Sequence, residues 1–142
     1  MATINPYLNF PGTTEEAFNF YRSVFGGEFA MLQRFGDTPD GGKLSPELKK
    51  KIMHVSLPIG NGNILMATDA IDEMGYHVTP GDNFYICISP ETKEEADRLF
   101  TGLSAGGKVG MPLKDMFWGA YYGDFTDKFG IKWMVNYQHP KK

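Results

Sequence analysis

Two stretches of the chain place apolar residues at helical spacing, and the two resemble each other. In TTEEAFNFYRSVFGG (13–27), Ala17, Phe20, Tyr21, Val24 and Phe25 fall at i, i+3, i+4, i+7 and i+8, one stripe along one helix face. In TKEEADRLFTGLSAGG (92–107), Ala96, Leu99, Phe100 and Leu103 make the matching stripe. Each stretch opens on a threonine with a glutamate three residues on, Thr13 with Glu16 and Thr92 with Glu95, which is the pattern of a capping box. Each closes on a glycine pair, Gly26-Gly27 and Gly106-Gly107, suited to the left-handed backbone that ends helices. Glu15-Glu16 and Glu94-Glu95 then read as first-turn carboxylates that favour the helix dipole.

Strand patterns surround both helices. INPYLNF (4–10), EFAMLQRF (28–35), KIMHVSLPI (51–59) and NILMAT (63–68) are the predicted strands of the first half. In 51–59 the alternation sets Met53, Val55, Leu57 and Ile59 against Ile52, His54 and Ser56. Gly60-Asn61-Gly62 reads as a hairpin turn, and 36–47 as a Gly/Pro/Asp-rich loop with a helical turn at 45–50. The second half offers strands at 83–89 (NFYICIS), 108–113, 117–125 (FWGAYYGDF) and 131–137, with Asp127-Lys128-Phe129-Gly130 as a turn in which Asp caps its own backbone. Along 117–125, Trp118, Ala120, Tyr122 and Asp124 share one face, and Phe117, Gly119, Tyr121 and Phe125 the other.

The chain is thus βαβββ written twice: module one at 1–69, a linker at 70–81, module two at 82–138. Neither copy is large enough to bury a core alone, so the expectation is one α+β domain. The helices would cover one face of each mixed sheet, and the opposite faces would curl into a cleft. The acidic run Asp69, Asp72 and Glu73 reads as solvated linker, and the tail His139-Pro140-Lys141-Lys142 as frayed.

Composition narrows the partners. The hydrophobic share is 42% and the charged share 22%, which is globular rather than disordered. Net charge is −3, with no basic stripe, so neither nucleic acid nor an anionic membrane is expected as a partner. No apolar run nears the roughly 20 residues that cross a bilayer, and the first residues lack the pattern of a secretory signal. A single cysteine forms no internal disulfide and suits a cytoplasmic location. Aromatics at 14% and eight methionines suit either a core or a pocket for a flat, apolar ligand.

Few residues promise chemistry. His54 stands mid-strand opposite an apolar row. It is the one catalytic candidate, as a general base, and a candidate ligand contact, set against a hydrogen-bonded polar residue on a half-wet face. His77 and His139 read as solvated, and Cys87, inside NFYICIS, as a buried small hydrophobe. Trp118, Tyr121, Tyr122 and Trp133 either stack on a planar ligand or pack a core or dimer. Asn9 and Asn136 either meet a ligand or satisfy strand-edge backbone.

The doubled βαβββ unit resembles the vicinal oxygen chelate superfamily, which includes glyoxalase I, bleomycin-resistance proteins and extradiol dioxygenases. MPLKDMFWGAYYGDFTDKFGIKWMVN (111–136) and the opening NPYLNFPGTTEEAFNFYRSVFGG are similar to its PhnB-like branch. That branch often carries the label of a demethylubiquinone methyltransferase. No Gly-rich strand-to-helix turn in a parallel βαβ unit supports a methyl-donor site here. The superfamily's metal enzymes draw four His or Glu ligands from the first and last strands of each unit. Carried over, those positions fall on Pro6, Leu65 or Met66, Phe84, and Trp133 or Met134, none an ordinary ligand for a hard divalent ion. The resemblance therefore implies a glyoxalase/bleomycin-resistance-like fold, a homodimer, no metal and no cofactor. It implies a cleft that takes an unidentified small apolar or aromatic molecule, with His54, Phe84, Trp118, Tyr122, Met134 and Asn136 as ligand contacts. A metal-dependent lyase, isomerase or dioxygenase of the glyoxalase type is the alternative, and a structural dimer without ligand the second.

Overall fold

The computed structural model describes residues 2–140. The chain divides into two compact units, one up to Thr79 and one from Pro80 onward. The first runs β1 (Tyr7–Phe10), α1 (Thr14–Phe25), β2 (Met31–Arg34), the short α2 (Pro46–Lys50), β3 (Ile52–Gly60) and β4 (Asn63–Asp69). Its sheet has the order β1-β4-β3-β2, with β1 parallel to β4 and the other pairs antiparallel. The second unit runs β5 (Ile86–Ile88), α3 (Lys93–Ser104), β6 (Lys108–Asp115), β7 (Ala120–Thr126) and β8 (Lys132–Gln138). Its sheet repeats the arrangement as β5-β8-β7-β6, again with only the first pair parallel. Neither sheet closes on itself.

Alternation explains why these residues form these strands. Val55 pairs with Ala67 and Leu57 with Leu65, and all four are buried, so one face of the first sheet is apolar. α1 packs on β3 and β4 with Ala17, Phe18 and Tyr21 buried, the last two rings edge to face at 5.4 Å. Burial of one such side chain stabilises by roughly 1.5–3 kcal/mol. The stripe thus sits one residue round from its expected centre: Phe18 is fully buried, while Phe20, Val24 and Phe25 are half-buried. Asn61 and Gly62 both take positive φ (54° and 78°) between β3 and β4, as a primed two-residue hairpin turn demands.

In the second unit Ala96, Leu99, Phe100 and Leu103 of α3 are buried, as are Phe125, Trp133 and Val135 of the sheet below. Phe100 meets Phe125 edge to face at 5.0 Å. Gly123 of β7 leaves the room this needs, since a Cβ there would stand 2.7 Å from Phe100 Cε2 and 2.9 Å from Met111 O.

Several expectations are corrected. Thr13 makes no side-chain cap; the Thr14 N–H donates instead to Asp69 Oδ1 at 3.0 Å. Asp69 is accordingly not solvated linker but buried, and its Oδ2 also accepts from Ile52 N at 2.7 Å. Cys87 is exposed rather than buried. His139 is not frayed: its Nε2 and Asp115 Oδ1 lie 2.6 Å apart, and its N–H donates to Gly119 O. Lys141 and Lys142 lie outside the described residues. β1, β2 and β5 are shorter than their apolar runs. β7 begins at Ala120 because Met116 N bonds Ala120 O and Gly119 N bonds Met116 O, closing a tight turn around Trp118.

Candidate functional site

The second sheet has one face under α3 and one face open. Val135 and the Phe125–Trp133 pair are buried on the α3 side, as Gly123 is. Strand alternation therefore puts the pairs Tyr122–Asn136 and Asp124–Met134 on the open side, with Cys87 beside Met134 in β5. The turn before β7 adds Trp118, whose ring lies 6.3 Å from that of Tyr122, edge to face. Phe117 stands edge-on to Trp118 at 5.0 Å. Trp118 is 52% exposed and Phe117 98%.

Two polar groups organise this face. The Tyr122 hydroxyl donates to Asp124 Oδ2 at 3.0 Å, and Asp124 Oδ1 accepts from Met111 N at 3.0 Å. The second bond bridges the irregular pairing of β6 with β7 around Met111. Desolvation, then the bond to Asp124 and its charge, push the Tyr122 phenol up to about 12. Cys87 is exposed as a residue, yet partial desolvation of its thiol also pushes the thiol pKa up, opposed by a hydrogen bond with Ser89. A thiol with a raised pKa is a poor nucleophile.

The candidates thus divide between units. Trp118, Tyr122, Met134 and Asn136 share the open face of the second sheet. Phe84 precedes β5 and is 64% exposed. His54 belongs to the first sheet. Val55 and Leu57 are buried toward α1, so His54 points to the opposite side, as the alternation predicts. There its Nδ1 lies 3.2 Å from the Tyr7 hydroxyl, with the two rings 5.7 Å apart. Asn9 and Thr68, paired in register, and Gln33, paired with His54, complete a polar patch on that face. Tyr7 was missed as a partner because the β1–β4–β3 pairing that brings it to His54 is not written in either strand.

The positions that hold metal in the superfamily do not fit one here. Leu65 and Trp133 are fully buried on the helix side of their sheets. Met66 and Met134 face the open side and offer only thioether sulfur. Pro6 contributes a backbone carbonyl that accepts from Met66 N. Among the described residues, no group of three His, Cys, Asp or Glu stands where it could hold a metal ion. No helix among them is long and apolar enough to cross a membrane.

The comparisons with known proteins agree with this architecture. The family model described as 3-demethylubiquinone-9 3-methyltransferase matches residues 2–136. Protein YjdN of Escherichia coli K12 is 30% identical over 141 residues, covering 94% of this chain and 93% of that protein. The crystal structure of PA1353 from Pseudomonas aeruginosa is 38% identical, covers 99% of this chain and 100% of its own, and superposes with a TM-score of 0.85. The PhnB protein of Bacillus cereus is 28% identical over 96% of this chain and 99% of its own, with a TM-score of 0.73. More distant glyoxalase/bleomycin resistance protein/dioxygenase and glyoxalase-related enzymes, 18% and 17% identical, share the fold at TM-scores of 0.59 and 0.62. A family shared over nearly the whole chain fixes ancestry and fold, while activity depends on the site. This chain belongs to the PhnB-like family whose model is described as 3-demethylubiquinone-9 3-methyltransferase, and it has the fold of the glyoxalase/bleomycin resistance/dioxygenase proteins.

Proposed function

We propose that the chain binds a small molecule through its aromatic or apolar part on the open face of the second sheet, with no metal at the family's chelating positions. The observation that carries this reading is the half-exposed Trp118 set edge to face on Tyr122, with Met134 and Asn136 on the same side. An indole held at a tight turn leaves apolar area in water that a planar ligand would cover. Met134 adapts to an irregular ligand surface, and the Asn136 amide can both donate and accept. Neither asks for catalysis, and the raised thiol of Cys87 argues against a nucleophile there.

A second reading, proton transfer on the first sheet, is favoured by the Tyr7–His54 contact alone. A tyrosine partner fixes an imidazole tautomer, so the other ring nitrogen would face the ligand as a defined donor or acceptor. We take a homodimer as part of the leading reading, since Met31, Leu32, Val109 and Met111 on the edge strands β2 and β6 are exposed apolar groups, and a cytoplasmic location, since a single cysteine suits a reducing compartment.

Thermal-shift screening with planar aromatic compounds tests the leading reading. A ligand at a hundredfold excess over its Kd stabilises by about 2.7 kcal/mol. The expected outcome is a shift that Trp118→Ala removes and His54→Ala leaves in place. No shift with any compound, or a shift that survives Trp118→Ala, overturns it.

A further inference from the structure

Asp124 stands in the second sheet's open face with both oxygens engaged by groups that carry no charge: the Met111 amide on Oδ1 and the Tyr122 phenol on Oδ2. No ion pair among the described residues includes it. A carboxylate accepts about four hydrogen bonds, so each oxygen keeps an acceptor site. Beside it lies the ring of Tyr122, and next to that ring, 6.3 Å away, the ring of Trp118; the π faces of both attract cations. From this juxtaposition we propose that the face selects an organic cation, an aromatic amine or an N-alkylated heteroaromatic ring, seated against Trp118 with its positive charge at Asp124. The proposal rests on the small-molecule reading of the same face.

The surroundings favour that sign of charge. The Asp124 carboxylate opposes ionisation of Tyr122, and the same charge would oppose a bound anion. The phenol accordingly stays a neutral donor at physiological pH and cannot itself neutralise a cation. Three lysines pair with the residues that flank Asp124 on this face. Lys132 is engaged, its Nζ 5.5 Å over the Tyr85 ring and 3.3 Å from Thr126 Oγ1. Lys114 pairs with Tyr122 and Lys108 with Thr126 in register on the exposed strand β6, so these two are the native competitors for Asp124. A ligand ammonium that sheds water between the rings gains on both the carboxylate and the π faces, whereas a flexible lysine at the sheet edge stays hydrated.

Three probes with one ring and different charge decide the matter: phenethylamine, 2-phenylethanol and 3-phenylpropanoate, each titrated into the full chain at neutral pH. The Trp118 indole N–H is followed by NMR. The amine is expected to bind about tenfold more tightly than the alcohol, with the carboxylate weakest. Asp124→Asn should bring amine and alcohol to within about twofold while the alcohol keeps its Kd. Lys114→Gln should tighten the amine alone. Equal Kd values for amine and alcohol, or a preference that survives Asp124→Asn, overturns the cation and leaves the aromatic reading standing. If none of the three moves the Trp118 signal, the aromatic reading fails and the cation with it. Should Asp124→Asn not fold, Tyr122→Phe keeps the ring and frees Oδ2. The amine preference must then hold or rise, and its loss overturns the proposal.

Discussion

The two units run the same elements in the same sheet order, yet each buries one carboxylate to a different end. Asp69, at the close of β4, accepts from Thr14 N at the head of α1 and from Ile52 N at the head of β3. One carboxylate thereby joins three elements that are far apart in sequence. Asp127, in the β7–β8 turn, accepts from Phe129 N, Ile131 N and Trp133 Nε1, all within six residues. The first unit uses its buried charge to fix how elements meet. The second uses it to fix a turn and the largest side chain of its core. A duplicated architecture has kept its topology while the polar groups that secure it have been placed independently.

The sharpest way to break this comparison is to remove both carboxylates in turn. Asp69→Ala strands two buried N–H donors at about 1–3 kcal/mol each and loses two bonds to a charge, so a loss of about 4 kcal/mol is expected. Urea denaturation measures it, and faster amide exchange at Thr14 and Ile52 locates it. Asp127→Ala strands one buried donor, the Trp133 indole, while the half-buried amides of Phe129 and Ile131 can reach water. A loss of about 2 kcal/mol follows. Equal losses in the two variants would erase the distinction between a staple across the fold and a local clasp.

The helix starts give a second, smaller contrast. The Thr92 hydroxyl accepts from Glu95 N at 3.0 Å, and the Glu95 carboxylate accepts from Glu91 N, so α3 is capped by its own sequence. Thr13 carries the same signature and makes no such bond, because its backbone (φ −111°, ψ 16°) is not the extended one with which Thr92 (φ −135°, ψ 159°) aims its hydroxyl at the third helical N–H. Thr92→Ala should therefore cost about 1 kcal/mol, whereas Thr13→Ala should change stability by only a few tenths. Thermal unfolding of both variants side by side is the measurement. A full cap's worth lost at Thr13 would mean that its hydroxyl caps α1 after all.

These cases show what the sequence could and could not convey. Element order, the doubled unit and the faces of β3 and β7 are legible because they depend on periodicity, a property of neighbours along the chain. His54 opposite Val55 and Leu57, and Trp118 on the side of Tyr122, follow from counting alone. Asp69 reads as linker because nothing nearby marks it as buried; its partners are far off and become visible only once β3 and β4 pair. Tyr7 escapes for the same reason. Cys87 misleads in the other direction, since an apolar run that is half exposed at a sheet edge reads the same as a buried strand. The open face of the second sheet is legible in outline through Trp118, Tyr122 and Asn136. The Tyr122–Asp124 bond requires two hydrogen-bonding side chains on one side of β7, and spacing shows only that they share it.

The smallest contrast lies between the polar ties that fasten each helix to its sheet, and pH separates them. In the first unit Arg34 grips Glu15 with two bonds, 3.0 and 2.6 Å, and a third to Lys50 O. The Arg34 bond holds the Glu15 carboxyl below its ordinary value, against a little desolvation. In the second unit the Tyr121 hydroxyl donates to Asp97 at 2.5 Å, and that bond, foremost, pushes the phenol up to about 12. A depressed carboxyl stabilises the fold above its ordinary pKa and loses that effect as pH falls through the folded value. A raised phenol stabilises below its ordinary pKa and loses the effect as pH climbs toward about 12. Arg34→Gln should therefore cost about 0.5 kcal/mol at neutral pH, less in high salt, and least once Glu15 is protonated in acid, where only the bond to Lys50 O is left to lose. Tyr121→Phe should cost nothing extra in acid relative to neutral pH and should narrow its difference from the parent only above pH 10, where the unfolded phenol ionises. Stability curves of the two variants across pH that bend at the same end would show that both ties are governed by one group rather than by the two distinct pairs.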